Sequence, residues 1–483
     1  MAMPIVVTFI LYFIFMFAIG LFFYKRSKAI DDYLLGGRAM GSWVTALSAQ
    51  ASDMSGWLLM GLPGAIYMTG FAGIWIAVGL FIGTVLNWKL VAVRLRIYTQ
   101  KTDSITLPCF FEQRFADPTG LLRIVSAIVI LLFFTIYVSS GLIATGKLFE
   151  STFGISYITA VVVGGTIVIS YTFLGGFMAV CWTDFFQGSL MIIALMVVPI
   201  MAYMKTGGSD AIINAMKLKN MSLSIIPVSK HGSIIAVISA MAWGLGYFGQ
   251  PHILARFMGI KSVRELSKSM VIAIIWVFIS LVGAVVIGLI SIPMFDNLSK
   301  TQSEKVFIYM IGKIMHPWIG GVMLAAILSA IMSTIDSQLL VASSALTEDF
   351  YQKIINKKAS QKQLVLIGRL CVIIISAIAM FLALSPNKTI LGIVAYAWGG
   401  FGAAFGPVVL FALFSGKTSW QSALAGIIAG TIVLMLWKNL GLSEYMYEIV
   451  PAFAANCITI VTLNLLLGQK NQTVIERHKQ LFG

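Results

Sequence analysis

The sequence predicts an all-α protein that crosses a membrane about thirteen times. Of its 483 residues, 59% are hydrophobic and 11% are charged, whereas about a quarter of the residues in a typical soluble domain are charged. Thirteen mostly apolar segments are each long enough to cross a bilayer, which takes about 20 helical residues. These predicted spans are 4–24, 44–68, 70–92, 122–145, 155–175, 182–204, 233–255, 270–295, 317–345, 365–386, 389–415, 419–438 and 446–467.

The second span contains a polar interruption, residues 48–57, with Asp53 in its middle. An acidic side chain at the bilayer centre costs about 2.5–3.5 kcal/mol on insertion scales. Broken backbone at that depth is tolerated only where it is buried in protein or lines a cavity. Many secondary transporters bind ions and substrates at such helix breaks near the bilayer midplane. The segment therefore indicates ion-coupled solute transport.

The seventh span is interrupted in a corresponding place, at residues 244–251, which read GLGYFGQP. Spans two to six and seven to eleven are equal in number, and because five is odd the two sets run in opposite directions. Paired interruptions in two such halves indicate an inverted repeat with a site between the halves. We expect a first helix and loop at 1–43, a first repeat at 44–204, an external loop at 205–232, a second repeat at 233–415, and two extra helices with a tail at 416–483.

The net charge of +15 is explained by topology. If the spans alternate, the basic residues collect in the loops on one side, which the positive-inside rule makes the cytoplasm. We therefore expect a multi-pass protein of the inner (cytoplasmic) membrane, with its N-terminus outside and its C-terminus inside. The first span lacks the basic start and the cleavage site of a signal peptide, so we expect it to be a retained transmembrane helix. The basic residues in the loops predicted to be cytoplasmic are Lys25, Arg26, Lys28, Arg38, Arg94, Arg96, Lys101, Arg114, Arg256, Lys261, Arg264, Lys268, Lys353, Lys357, Lys358 and Lys362.

Other classes of function have little support. The four cysteines and four histidines are scattered, without the spacing of a transition-metal or redox site. No catalytic constellation is visible, so we expect no enzyme, no cofactor and no nucleic-acid partner.

Four stretches carry a resemblance to a known family. Residues 175–187 read GGFMAVCWTDFFQ and match the pattern Gly-Gly-x-x-Ala-Val-x-x-Thr-Asp-x-x-Gln. Residues 51–64 read ASDMSGWLLMGLPG, residues 131–137 read LLFFTIY, and residues 243–258 read WGLGYFGQPHILARFM. With these motifs the chain resembles the sodium/solute symporter family, and within it the proline-transporting type. The resemblance extends to about Gly468 and implies a LeuT-like core of two inverted five-helix repeats, with one helix before the core and two after it.

The resemblance implies a sodium site formed by backbone carbonyls and hydroxyls. The expected ligands are the carbonyl groups of Ala51, Met54 and Ala330 and the side chains of Ser333 and Thr334. Hard cations prefer oxygen ligands, and a broken helix frees carbonyl oxygens. The alternative is that the two hydroxyls only bond back to carbonyls of their own helix.

Five further residues are candidates for the ion path or for a second cation. The charge of Asp53 is expected to attract the cation, although an acid satisfied by nearby backbone N–H groups is an equal alternative. Arg38 is either a topology charge or part of the cytoplasmic ion exit. Asp184 belongs to the 175–187 motif and is expected near the exit path, and Asp184, Asp336 and Ser337 together are candidates for a second sodium site.

The expected substrate site surrounds the break in the second span. Free N–H groups at Ser55, Gly56 and Trp57 would receive a carboxylate, as helix N-termini do. A pyrrolidine ring needs an apolar wall, and the alternative for these aromatic residues is packing. The wall residues implied by the resemblance are Trp57, Tyr137, Trp243, Tyr247 and Pro251.

The resulting expectation is sodium-coupled uptake of L-proline by alternating access, within a lipid bilayer and without an obligatory protein partner. One alternative is the same mechanism with another amino acid, a sugar or a vitamin. An alternative of another class is a membrane sensor, but a sensor would be expected to carry a signalling domain. Residues 398–402, which read WGGFG, are either a hinge or a point of close packing.

Overall fold

The computed structural model describes residues 3–24, 35–172 and 176–482, without the side chain of Tyr171. The described residues form α-helices joined by short 3₁₀ and π segments, with no β-strand among them. The fold class expected from the sequence is therefore confirmed.

The α-helices are α1 Met3–Tyr24, α2 Ser42–Asp53, α3 Leu62–Thr69, α4 Ile74–Leu86, α5 Val93–Lys101, α6 Leu107–Phe115, α7 Leu121–Phe153, α8 Tyr157–Thr172, α9 Phe177–Thr206, α10 Gly208–Leu218, α11 Ser233–Met241, α12 Pro251–Gly259, α13 Val263–Met294, α14 Lys300–Ser303, α15 Val306–Ile314, α16 Pro317–Ser344, α17 Gln361–Ala383, α18 Ile390–Phe414, α19 Trp420–Asn439, α20 Ile449–Leu466 and α21 Gln472–Phe482. The 3₁₀ segments are Gly36–Arg38, Gly70–Gly73, Ala242–Gly249 and Leu442–Glu444, and the π segments are Trp57–Gly61, Asn87–Ala92 and Ala345–Ile355.

Ten of the described helices are long and apolar enough to cross a membrane, or eleven if one bent pair counts as a span. The expected number of thirteen stays a prediction. The difference arises where the helices are broken or short. The second span is cut after the 12 residues of α2, and Trp57–Lys101 continues as one helical stretch of 45 residues. Helix α8 has only 16 residues.

The loops that were predicted to share one side of the membrane meet at one end of the helices. Arg38 Nη2 donates to the carbonyl oxygens of Thr99 and Ser104 at 3.1 Å each, and Lys353 Nζ lies 2.7 Å from a carboxylate oxygen of Glu112. We call this end, with Arg38, Arg96, Arg114, Arg123 and Lys353, the basic face. Lys25, Arg26 and Lys28 lie outside the described residues.

Helix α16 forms the centre of the bundle and packs against α1, α2, α7 and α9. Nearly all of its residues from Gly320 to Ser344 are buried. A helix that is apolar on all sides belongs in the interior rather than at the surface. The polar residues that α16 carries therefore face other helices.

The end opposite the basic face is held by buried polar contacts. Glu304 lies 2.6 Å from Lys147 Nζ and accepts hydrogen bonds from the N–H groups of Ile390 and Leu391. Glu304 thus caps the first turn of α18, where a negative charge is favourable. The loop at 205–232, which was predicted to be external, contains α10.

Candidate ion and substrate site

The second predicted span is broken where its polar interruption lies. Helix α2 ends at Asp53, and Met54 follows it with a non-helical backbone (φ −88°, ψ 80°). The chain then resumes in the π segment Trp57–Gly61. All residues from Ser48 to Trp57 are buried, so the break lies inside the protein, as broken backbone at membrane depth requires.

The seventh predicted span is also broken. A 3₁₀ segment covers Ala242–Gly249, Gln250 is extended, and α12 begins at Pro251. The two parts of the span meet at an angle of 45°. Proline fits here because it has no N–H to donate and its φ angle suits the first turn of a helix.

The two breaks lie against each other. The Tyr247 hydroxyl donates to Asp53 Oδ2 at 2.7 Å, and the rings of Trp57 and Trp243 lie 6.4 Å apart. The other carboxylate oxygen of Asp53 is buried and has no hydrogen-bond partner among the described residues. The hydrogen bond to this carboxylate therefore comes from a tyrosine of the other broken span, and not from nearby backbone N–H groups.

Four of the five expected sodium ligands converge between α2 and α16. Ser333 Oγ lies 2.7 Å from the Ala51 carbonyl oxygen and 3.2 Å from that of Ala330. Thr334 Oγ1 lies 3.4 Å and 3.2 Å from the same two oxygens. Both hydroxyls thus bond within their own helix and also reach the break.

The fifth expected ligand, Met54, is the buried residue that directly follows α2. Each hydroxyl of the cluster keeps lone pairs that it can turn towards a cation. We refer to Ala51, Ala330, Ser333 and Thr334 as the oxygen cluster.

The expected substrate residues are all buried, and Pro251 lines a small pocket apart from the break in the second span. The Tyr137 hydroxyl is close to Ser55 and Trp57, but among the described residues none has the geometry of a hydrogen bond to it. The Tyr137 ring lies 6.4 Å from that of His252, which follows Pro251. The site therefore combines an apolar wall with a hydroxyl that is available to a ligand.

The backbone N–H groups expected to bind a carboxylate are partly occupied. The N–H of Ser55 donates to the Asp53 carbonyl at 3.1 Å, and that of Trp57 donates to Ser55 Oγ at 3.3 Å. A side-chain carbon at Gly56 would lie 2.9 Å from the Ala144 side chain. A carboxylate would have to replace the two local bonds, and glycine permits close packing at this point.

A cavity of about 480 Å³ lies between Trp243 and the face opposite the basic face. Trp243 and Gly61 line it on the site side, and Lys300, Glu304 and Thr389 line it further out. On the basic side, the pocket beside Pro251, between α12 and α16, has a volume of only about 20 Å³. Of these two cavities, the larger thus lies on the face opposite the basic loops.

Asp184 and Asp336 accept hydrogen bonds from different side chains. Its Oδ2 lies 3.1 Å from Nη2 of Arg256 and accepts a hydrogen bond from Ser48 Oγ at 2.7 Å. Asp336 accepts a hydrogen bond from Thr172, and Ser337 accepts one from Arg256. Asp184 and Ser337 therefore share a cationic partner that belongs to the chain.

The assignment of Arg256 to a cytoplasmic loop is wrong. Arg256 lies within α12 and is fully buried. The apolar run before it placed the end of the span at residue 255, four residues before α12 ends at Gly259. The partners of Arg256, Ser48, Asp184 and Ser337, are far away in the sequence. The arginine inside the 243–258 motif was the one available signal.

Two other contributors carried no clear signal in the sequence. The Tyr12 hydroxyl in α1 accepts hydrogen bonds from Gln187 and Ser329 at 3.0 Å each. The Trp398 ring lies 4.9 Å from that of Tyr247, and its Nε1 donates to the Trp243 carbonyl at 2.7 Å. Trp398 thus supports the broken seventh span from α18, and Tyr12 links α1 to α9 and α16.

Arg38 connects three segments at the basic face. In addition to its bonds to Thr99 and Ser104, its Nη1 donates to the Met258 carbonyl oxygen at 3.3 Å. It therefore does more than add positive charge to a loop, because it ties the end of α12 to the chain around α5.

The WGGFG stretch is a point of close packing. A side-chain carbon at Gly400 would lie 2.3 Å from the Phe133 ring, and one at Gly402 would lie 2.7 Å from the Gly246 backbone. These distances exclude larger side chains without movement of the neighbours. The packing interpretation accounts for both glycines.

Comparison with known proteins gives a consistent result. The Sodium:solute symporter family matches residues 33–430. A sodium/proline symporter of Salmonella typhimurium is 49% identical over 470 residues, which cover 96% of this chain and 93% of that protein. A high-affinity proline transporter of Bacillus subtilis is 48% identical over 465 residues, with 96% and 98% of the two chains covered.

A solved structure of similar shape is that of a Na⁺-coupled sialic acid symporter in a substrate-bound, outward-open state. It aligns with a TM-score of 0.81 at 21% identity and covers 98% of this chain and 99% of that one. At this level of identity the likeness supports the fold alone.

Proposed function

Because this chain belongs to the Sodium:solute symporter family, we propose that it couples the inward movement of sodium to the uptake of L-proline. The observation that supports the proposal is the meeting of the two broken spans, Asp53 of one with Tyr247 of the other, at the break that the hydroxyls of Ser333 and Thr334 also reach. Two relatives at 48–49% identity are named as proline transporters.

Sodium, as the coupling ion, would bind between α2 and α16. The Ser333 and Thr334 hydroxyls and the carbonyls of Ala51, Ala330 and Met54 would provide oxygen ligands, and the Asp53 carboxylate would add a favourable negative charge nearby. The ion would join two helices that otherwise meet only through hydrogen bonds and packing. Its binding would therefore stabilise one arrangement of the break.

The substrate would bind on the other side of the same break. The residues from Ser55 to Trp57 follow Ala51 by only four to six positions, so an ion that fixes Ala51 also fixes the groups that receive the carboxylate. Trp57, Tyr137 and Trp243 would surround the ring. Because binding couplings are reciprocal, proline should raise the affinity for sodium by the same factor as sodium raises the affinity for proline.

Transport would follow from alternating access. The cavity of about 480 Å³ leads to Trp243 from one face. At the basic face Arg38 joins α12 to the chain around α5, and deeper in the protein Arg256 joins α12 to α2, α9 and α16. We assign the basic face to the cytoplasm, with the N-terminus outside and the protein in the cytoplasmic membrane. The protein would act as a transporter and not as an enzyme.

Binding of labelled proline to the purified protein tests this proposal. Sodium should increase the affinity for proline at least ten-fold, while potassium at equal ionic strength should not. Trp243→Ala should weaken proline binding about ten-fold, because changed contacts in an apolar pocket are worth about 1–3 kcal/mol. Binding that ignores sodium, or a preference for glucose or pantothenate over proline, would refute it.

A further inference from the structure

A second cluster of oxygen atoms lies one helical turn from the oxygen cluster of the proposed sodium site. Ser48 precedes Ala51 by three residues in α2, and Ser337 follows Thr334 by three residues in α16. Three residues advance a helix by about 4.5 Å. Both steps lead towards the basic face, where α2 begins and α16 ends.

This second cluster is occupied by a cation of the protein itself. Arg256 Nη2 lies 3.1 Å from Asp184 Oδ2 and also bonds Ser337, and Arg256 Nε lies 3.1 Å from Ser48 Oγ. The guanidinium carbon lies 5.3 Å from the centre of the Phe177 ring. The cation is thus surrounded by groups from α2, α9 and α16.

Arg256 and Asp184 are enclosed by the protein, so Arg256 is not a solvated surface charge. The side chains of Arg256 and Asp184 are both 0% exposed. A buried charge is tolerated only with a partner and well-placed hydrogen bonds. The same carboxylate and hydroxyl oxygens would suit a small hard cation if the guanidinium were absent.

We propose that Arg256 is a built-in cation that fills a second cation site at Ser48, Asp184 and Ser337. The inference rests on the proposed function, because it concerns how many sodium ions accompany each substrate. With the guanidinium in place, one sodium binds at the oxygen cluster and the second site receives none. Removal of the guanidinium turns Asp184 and its neighbouring hydroxyls into ligands for a second ion.

The number of sodium ions bound by purified protein at saturating proline tests this assignment, with labelled sodium as the probe. The wild type should bind one ion, and Arg256→Gln should bind two. Arg256→Lys, which keeps a positive charge, should bind one. The double variant Arg256→Gln/Asp184→Asn should return to one, because the second site has then lost its carboxylate.

Two results would overturn the assignment. One is an Arg256→Gln protein that binds proline but still takes up a single sodium ion. The other is a wild type that binds two ions and loses one in Asp184→Asn, which would make Asp184 an ordinary sodium ligand. The Asp184→Asn comparison decides the question if Arg256→Gln does not fold.

A failure of the proposed function would look different. In that case the wild type would show no sodium-dependent binding of proline. The number of sodium ions bound with proline could then not be compared between variants.

Discussion

Ser333 and Thr334 place two hydroxyls within 3.4 Å of carbonyl oxygens from two different helices. Replacement of either residue by alanine should raise the sodium concentration for half-maximal uptake about ten-fold or more. The loss of a polar ligand to a charged group costs about 1.5–3 kcal/mol, and 1.4 kcal/mol corresponds to a factor of ten. The measurement is proline uptake as a function of sodium concentration.

Ser343→Ala provides the matched control. Ser343 is a buried residue of the same helix, and its hydroxyl bonds the Leu340 carbonyl oxygen at 2.8 Å. Its replacement should leave sodium activation within two-fold of the wild type. If Ser333→Ala and Thr334→Ala both behave like this control, the ion binds elsewhere.

Substitutions at Asp53 and Tyr247 distinguish the effect of the Asp53 charge from the effect of the Tyr247 ring. Asp53→Asn should raise the sodium requirement strongly, and Asp53→Glu should raise it less, because only the first removes the charge. Tyr247→Phe should produce a smaller increase, since it removes the donor to Asp53 and keeps the aromatic ring. Proline affinity at saturating sodium should change little in Tyr247→Phe.

Sodium titrations of proline binding provide all of these values. Normal sodium activation in a correctly inserted Asp53→Asn protein would exclude an electrostatic role for Asp53. Tyr247→Ala is less informative, because it removes the ring and the hydrogen bond to Asp53 together.

At the scale of elements, the broken seventh span depends on close contact between a 3₁₀ segment and α18. A side-chain carbon at Gly246 would lie 1.9 Å from Nε1 of Trp398. Gly246→Ala should therefore lower the melting temperature of the detergent-solubilised protein and abolish most uptake, because overpacking costs about 1–3 kcal/mol.

Gly312→Ala in α15 is the control, since a side-chain carbon there would meet no other atom within 4 Å. It should leave stability unchanged or slightly raised, as alanine suits a helix better than glycine. Equal melting temperatures for the two variants would show that the contact between Gly246 and Trp398 is not tight in solution.

The sequence was sufficient to predict the two broken elements, but not all of their partners. The first break is visible in the sequence because polar and glycine residues surround Asp53. The second is visible because Gln250-Pro251 also conflicts with a continuous apolar helix. The contact of Arg256 with Asp184 cannot be recognised in the sequence, because the two residues are 72 positions apart and meet only through tertiary packing.

The number of spans shows the same limit. Hydropathy finds apolar segments reliably, but it does not show where one helical stretch continues into the next, as Trp57–Lys101 does. The sequence also did not show that the N–H groups of Ser55 and Trp57 are occupied. These local hydrogen bonds depend on the geometry of the break.

At the scale of the whole molecule, closure of the basic face should depend on Arg38. Its bonds to carbonyls of Thr99, Ser104 and Met258 join segments at this face, and in the proposed alternating-access cycle these segments separate when the site opens on that side. Arg38→Ala should increase the rate at which a permeant maleimide labels the buried Cys181 several-fold. The background for this test carries Ser at Cys109, Cys371 and Cys457.

Lys357→Ala, an exposed change on the same face, should leave the labelling rate of Cys181 unaltered. Equal rates in Arg38→Ala and Lys357→Ala would mean that Arg38 contributes charge to this face without holding it closed.

The central claim, sodium-coupled uptake of proline, is tested most directly by transport into proteoliposomes with an imposed inward sodium gradient. Labelled proline should accumulate inside well above its external concentration, and collapse of the gradient by a sodium ionophore should release it. The other solutes of the panel, glucose, pantothenate and open-chain amino acids, should accumulate far less. Proline that only equilibrates across the membrane, or accumulates equally without a sodium gradient, would contradict the account.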